Sequence, residues 1–175
     1  MGSKKWSTLQ EYLVTFKEFS PRQAYTLLRV HEPNPESCPP LHLAVLSENV
    51  ECVDFFLRQG VNLDARACHE ESALHWACKS GSVPIVEALL KAKADPLLED
   101  KDHNTPLHWG CEYDHPRVVK LLLRYAGTPA LEKLNIYGRT PMEEALFHSS
   151  DRTALLIKRV TRPTTCQRFK YWFRR

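Results

Sequence analysis

Glycine is scarce, with six residues in a chain of 175. None of them forms G-x-G-x-x-G or a Walker loop, so the usual backbone cradle for a phosphate is missing, and nothing suggests a cofactor. No stretch approaches 18 consecutive apolar residues, which is too short for a membrane-spanning helix. The N-terminus, Met1-Gly2-Ser3-Lys4-Lys5-Trp6, has no apolar segment behind it and does not read as a secretory signal. Gly2 invites a myristoylation reading, but Trp6 stands where that motif wants Ser or Thr. Six widely spaced cysteines (Cys38, Cys52, Cys68, Cys78, Cys111, Cys166) without an export signal are expected to be reduced thiols, and the protein to be cytoplasmic or nuclear. Acidic residues are absent from 158–175, where Lys158, Arg159, Arg162, Arg168, Lys170, Arg174 and Arg175 give seven positive charges. The overall net charge of +3 therefore divides into a body with 17 basic against 21 acidic residues and a strongly basic tail. Apolar residues at 43% and charged residues at 26% are ordinary for a globular chain of one domain.

What the chain does have is internal repetition. Leu41-His42-Leu43-Ala44, Leu74-His75-Trp76-Ala77 and Leu107-His108-Trp109-Gly110 recur at a spacing of 33. Val53, Val86 and Val119 fall on the same lattice, as do Phe56-Leu57, Leu89-Leu90 and Leu122-Leu123. A fourth copy at Thr140-Pro141-Met142-Glu143-Glu144-Ala145 arrives 35 residues later, with two extra residues around 126–134. Apolar spacing within each copy is helical. Thr105-Pro106 and Thr140-Pro141 place a capping hydroxyl before a proline suited to a first helical turn. Lys79-Ser80-Gly81-Ser82 and Tyr113-Asp114-His115-Pro116 break the paired helices, and the polar stretches 64–71, 99–104 and 135–139 separate the copies. Each copy is a short helix, a turn, a longer helix and a loop. One such pair cannot bury its apolar face, whereas stacked pairs share a continuous core.

The chain at this point resembles the ankyrin-repeat family. The resemblance rests on Thr105-Pro106-Leu107-His108, on Asp102-His103-Asn104 before it, on Val118-Val119-Lys120-Leu121-Leu122-Leu123 after it, and on Gly60-Val61-Asn62-Leu63-Asp64-Ala65. It implies an all-α solenoid over residues 34–160, divided near 34–66, 67–99, 100–134 and 135–160. Residues 1–33 read as an N-terminal helical cap, with a capping box at Ser7-Thr8-Leu9-Gln10 and a second helix start at Ser20-Pro21-Arg22-Gln23. Residues 161–175 read as a basic aromatic tail. There are departures from the family pattern. The turn glycine before Thr-Pro survives only as Gly138, so Ser37, Glu70 and His103 must accept a left-handed backbone. Pro39-Pro40 removes the capping hydroxyl of the first copy, and Glu143 replaces the motif histidine in the fourth.

His75-x-x-Cys78 and His108-x-x-Cys111 share a helix face, as metal pairs or a nucleophile with its base would. The resemblance implies instead that the histidines tie neighbouring loops together and that the cysteines occupy small packing slots. No metal, no cofactor and no catalytic residue is expected, and Glu143-Glu144 reads as a solvated face. Trp76 and Trp109 hold the same slot in adjacent copies and are expected to lie side by side.

Ankyrin-like stacks bind through loop tips and the inner face of each first helix. Carried over position by position, this implies a partner surface of Arg66, His69, Glu71, Trp76, Lys79, Lys101, Asp102, Asn104, Trp109, Glu112, Tyr113, Tyr137, Arg139 and Phe147. Leu46, Ser47, Cys68, Ser80, Glu99, Ile136 and His148 flank it. Its energetic centre is expected at the aromatics of the C-terminal third. The implied function is a non-enzymatic protein–protein module, monomeric alone, acting as an adaptor or as an inhibitor similar to the NF-kappa-B inhibitors. Two alternatives are a substrate adaptor for a ubiquitin ligase, and tethering to nucleic acid or membrane through residues 161–175. The former class carries a C-terminal helical box longer than the 15 residues that follow Val160.

Overall fold

The computed structural model describes residues 38–161 together with Ser20, Arg22 and Gln23. The cap assigned to residues 1–33 and the tail lie largely outside the described residues. At the second helix start, the Ser20 amide and hydroxyl both donate to Gln23 Oε1, at 3.1 and 2.7 Å, and Arg22 and Gln23 are helical.

The described residues form eight α-helices and no strand. They are α1 (Pro40–Leu46), α2 (Val50–Arg58), α3 (Ala73–Ser80), α4 (Val83–Lys91), α5 (Pro106–Glu112), α6 (Pro116–Ala126), α7 (Pro141–Phe147) and α8 (Asp151–Val160). A 3-10 turn at Thr128–Glu132 absorbs the two extra residues of the fourth copy. The odd-numbered helices stack in one row and the even-numbered helices in another, and each pair packs on the next. This is the all-α solenoid that the 33-residue lattice predicts.

Lattice positions become stacked core positions. Leu41, Leu74 and Leu107 are buried, and so are Val53, Val86 and Val119, then Phe56, Leu89 and Leu122. Burying one such side chain contributes about 1.5–3 kcal/mol. Ala44, Ala77 and Gly110 share one buried lattice slot. A methyl on Gly110 would already stand 3.2 Å from Val119 Cγ2. In the last repeat Ala154 and Ile157 take the places of Val119 and Leu122.

Proline opens α1, α5, α6 and α7, where an amide would have no helical acceptor. The hydroxyls of Ser72, Thr105 and Thr140 join capping boxes, while Pro39 supplies no side-chain cap. Asn49 caps α2 by accepting from the Cys52 amide at 3.2 Å.

Left-handed residues recur on the same lattice. Glu70, His103 and Gly138 have φ of 62°, 57° and 67°, so two of the three expected non-glycines adopt the strained turn, and Ser37 lies outside the described residues. Glu48, Gly81, Asp114 and Ser149 turn the chain between the two helices of each repeat, at φ of 55°, 74°, 52° and 57°. Gly81 is doubly constrained. A Cβ there would lie 2.5 Å from His115 Cε1, and the His115 ring is held by a 3.0 Å bond to the Lys79 carbonyl.

Candidate functional site

The buried histidines explain how the loop face is built. The Ser72 amide donates to His75 Nδ1 at 3.1 Å, so that nitrogen is an acceptor and the proton resides on Nε2. Nε2 then donates across the stack to the Asn104 carbonyl at 2.9 Å. His108 repeats the scheme, accepting from the Thr105 amide at 3.1 Å and donating to the Arg139 carbonyl at 3.2 Å. His42 donates to the Glu71 carbonyl at 2.9 Å, but Pro39 has no N–H or hydroxyl to offer, and His42 Nδ1 is buried without a partner. In the fourth copy Glu143, an acceptor only, takes the Thr140 amide and hydroxyl on Oε2, both at 2.8 Å. Burial pulls all three imidazoles below their usual range, His75 to about 4.

These bonds fix the tips. Lys101 N–H donates to the His69 carbonyl and Ile136 N–H to the Asp102 carbonyl, each at 3.0 Å, linking successive loops. Within the third tip, Asp100 Oδ1 accepts from the amides of Asp102 (2.9 Å) and Asn104 (2.8 Å). Within the fourth, Asn135 Oδ1 accepts from Tyr137 (3.1 Å) and Arg139 (3.0 Å). Ala67 holds that slot in the second tip and has no acceptor. The Glu71 carboxylate bends back instead to take the His69 amide at 3.0 Å.

Several expectations change accordingly. Glu71 is buried and closes its own tip, which removes it from the candidate surface. Asn104 gives its carbonyl to His75, and its side-chain oxygen accepts from Asn135 Nδ2 at 3.0 Å, so its role is internal as well. Trp76 and Trp109 do not pair with each other. Each indole stands edge-on to the imidazole of the preceding repeat: Trp76 to His42 at 5.0 Å and Trp109 to His75 at 5.8 Å. The indole one position after a motif histidine overlies the histidine of the copy before. Trp109 Nε1 also donates to Asp100 Oδ2 at 2.9 Å. Glu144 is buried rather than solvated. It lies 2.7 Å from Arg139 Nε and 3.1 Å from His148 Nε2, and it accepts from Asn135 Nδ2 at 3.1 Å. The Arg139 Nε–H is not aimed at that near oxygen, so the contact is a close ion pair without a formal hydrogen bond.

The remaining candidates do gather on the loop and inner-helix face. Arg66 Nη1 reaches the Glu99 carbonyl at 2.7 Å, and Lys101 Nζ lies 2.8 Å from His69 Nδ1. Asp102 is half-buried and Glu112 partly covered. Two cation–aromatic clusters dominate the C-terminal half. Lys79 Nζ sits 5.5 Å from the centre of the Trp109 ring and 5.3 Å from that of Tyr113, bridging the second and third repeats. The Arg139 guanidinium lies 3.9 Å from the Phe147 ring centre and 4.8 Å from that of Tyr137. Tyr113, Tyr137 and Phe147 remain 38%, 64% and 65% exposed. Asp100 and Asn135, which hold this face in shape together with the misread Glu144, escaped sequence reasoning. The Asx residues at equivalent positions 100 and 135 were the available signal.

The two thiols of the His-x-x-Cys pairs are shielded from solvent. Cys78 and Cys111 are buried, and burial pushes both thiols well above the usual range. Both nitrogens of His75 and His108 are already bonded within the stack, so neither His-x-x-Cys pair presents a free imidazole ligand. Among the described residues Glu112, Glu144 and His148 bring possible ligand atoms within 4.8 Å of one another. Arg139 already occupies the electrostatic place of a cation there.

Comparison with known sequences agrees with this architecture. The family description "Ankyrin repeats (3 copies)" matches residues 14–100, and "Ankyrin repeat" matches residues 102–134. The first match begins inside the segment assigned to the N-terminal cap. Palmitoyltransferase ZDHHC13 of Mus musculus is 36% identical over 72 residues, 41% of this chain. Palmitoyltransferase Hip14 of Drosophila melanogaster is 31% identical over 74 residues, 42% of this chain. Palmitoyltransferase AKR1 of Kluyveromyces lactis is 32% identical over 87 residues, 49% of this chain. These matches span only 11–12% of the relatives' own length. They cover ankyrin repeats, a non-catalytic interaction module, and not the catalytic domain.

Proposed function

The chain belongs to the ankyrin-repeat family, and from that premise we propose that it is a non-enzymatic adaptor or inhibitor. In this reading it holds a protein partner on the loop-tip and inner-helix face of its second to fourth repeats. One observation carries the reading. Tyr113, Tyr137 and Phe147 stay exposed although Lys79 and Arg139 already stack on them. Rigid aromatics beside cations are what interface hot spots are made of, because they bury large areas at small entropic cost. The buried histidine ladder supports the same reading by fixing the tips beforehand, which lowers the ordering cost of binding.

The test is quantitative capture of partners by the intact chain and by Tyr113→Ala/Tyr137→Ala. Truncating a hot-spot aromatic costs about 2 kcal/mol or more, so partner affinity should fall at least about thirtyfold. The melting temperature should hardly move, since neither ring is part of the buried core. Undiminished capture by the double variant would refute the assignment of this face.

A further inference from the structure

The outer row of helices carries a second surface that the concave-face reading does not use. In α8 the buried residues Thr153, Ala154 and Ile157 face the core. Arg152, Leu155, Leu156 and Arg159 fall at i, i+3, i+4 and i+7, a second stripe on the other side of the same helix. Leu155 and Val160 are 57% and 50% exposed. With Lys120 of α6 these residues line an open groove of about 430 Å³ between α6 and α8. Its apolar lining is Leu155, Leu156 and Val160. Its charged lining is Lys120, Arg152 and Arg159, with no carboxylate among the described lining residues. Arg152 is paired with Asp114, its Nε 3.2 Å from Oδ2. Arg117, Arg124 and Lys158 add exposed positive charge along the same two helices.

We propose that this α6–α8 groove docks an acidic amphipathic helix of a protein partner. Apolar anchors of that helix would sit on Leu155, Leu156 and Val160, with carboxylates facing Lys120, Arg152 and Arg159. The stripe from Arg152 to Arg159 is roughly 10 Å long, the reach of about two helical turns. Helix-in-groove recognition takes this form, apolar anchors at helical spacing with flanking charge setting the partner's sign. Residues 162–175 are a poor occupant, because they carry five basic residues and no acidic one.

The test uses the full chain and a fluorescent helical peptide of about 16 residues with leucines at i, i+3 and i+7 and glutamates on both flanks. A control peptide replaces every glutamate by lysine. The glutamate peptide should bind at least about tenfold tighter at low salt, and added salt should narrow the gap. Lys120→Glu/Arg159→Glu should invert the preference, and Leu155→Gln should weaken both peptides, with circular dichroism and melting temperature unchanged. Equal binding of the two peptides, or a preference surviving the charge reversal, would overturn the proposal. Loss of peptide binding in Tyr113→Ala/Tyr137→Ala would overturn it in favour of the concave face. A rise in peptide affinity on Phe169→Ala/Trp172→Ala would place the chain's own tail in the groove and overturn the assignment to a partner helix. Charge-reversal-sensitive binding to phosphatidylcholine–phosphatidylserine vesicles, without peptide binding, would make the groove a lipid site instead.

Discussion

Acidification from pH 7.5 to 4.5 should destabilise this protein through its buried imidazoles, and His75 allows the size to be worked out. Its ordinary value of 6.5 is pulled to about 4 in the fold, first by burial. The backbone bond to Asn104 pulls the other way and only partly offsets it. Protonation would also put a hydrogen on Nδ1, against the Ser72 amide that already donates there. Above pH 6.5 the ring is neutral in both folded and unfolded chains, and its contribution is fully present. Between 6.5 and 4 the unfolded chain binds a proton that the folded chain refuses, so stability falls by about 1.4 kcal/mol per pH unit. Near pH 4 the loss reaches about 3 kcal/mol and then levels off as the folded form protonates too. His42 and His108 are displaced in the same direction and add to the loss. Since whole domains are stable by about 5–15 kcal/mol, this is a substantial fraction. Urea unfolding followed by circular dichroism at pH 7.5, 6.5, 5.5 and 4.5 measures it, for the parent and for His75→Gln. Glutamine can both donate and accept at this site but does not titrate. The variant should be weaker at pH 7.5, and its deficit should shrink by about 2.5 kcal/mol by pH 4.5. A constant deficit across the range refutes the reasoning, as would an imidazole nitrogen-15 titration of His75 with a midpoint near 6.5.

Two further outcomes test the backbone reading. Lys93, at φ 73° just beyond α4, takes a conformation that suits glycine, so Lys93→Gly should stabilise the chain by about 1 kcal/mol in urea unfolding. Gly81→Ala should do the opposite. The added methyl must displace the His115 ring from 2.5 Å and adopt φ 74°, a loss of about 2 kcal/mol or more, visible as a lower melting temperature.

Much of the architecture was legible because the lattice is one-dimensional. A period of 33 places Leu41, Leu74 and Leu107 in equivalent environments before any coordinate is known, and all three are buried. The proline and hydroxyl helix starts, and the strained turns at Glu70 and His103, also follow from local chemistry. The exposed aromatics of the candidate face were legible as residues that no core position requires.

Contacts between neighbouring copies were not legible in this way. That Glu71 folds back because Ala67 offers no acceptor, and that Glu144 is buried beside Arg139, depends on how one tip sits upon the next. The partner of each indole likewise follows from the offset between stacked helices, which a repeat period does not encode. The α6–α8 groove is of the same kind. Leu155 and Leu156 are apolar positions at helical spacing in the sequence, and only the packed position of α6 sets Lys120 in the same groove. The sequence by itself determined the repeat, its helices and its turns, because those rest on local propensity and apolar periodicity. The tertiary structure decided which polar and aromatic side chains were consumed inside the stack and which were left exposed, because that depends on the spacing and rotation between one repeat and the next.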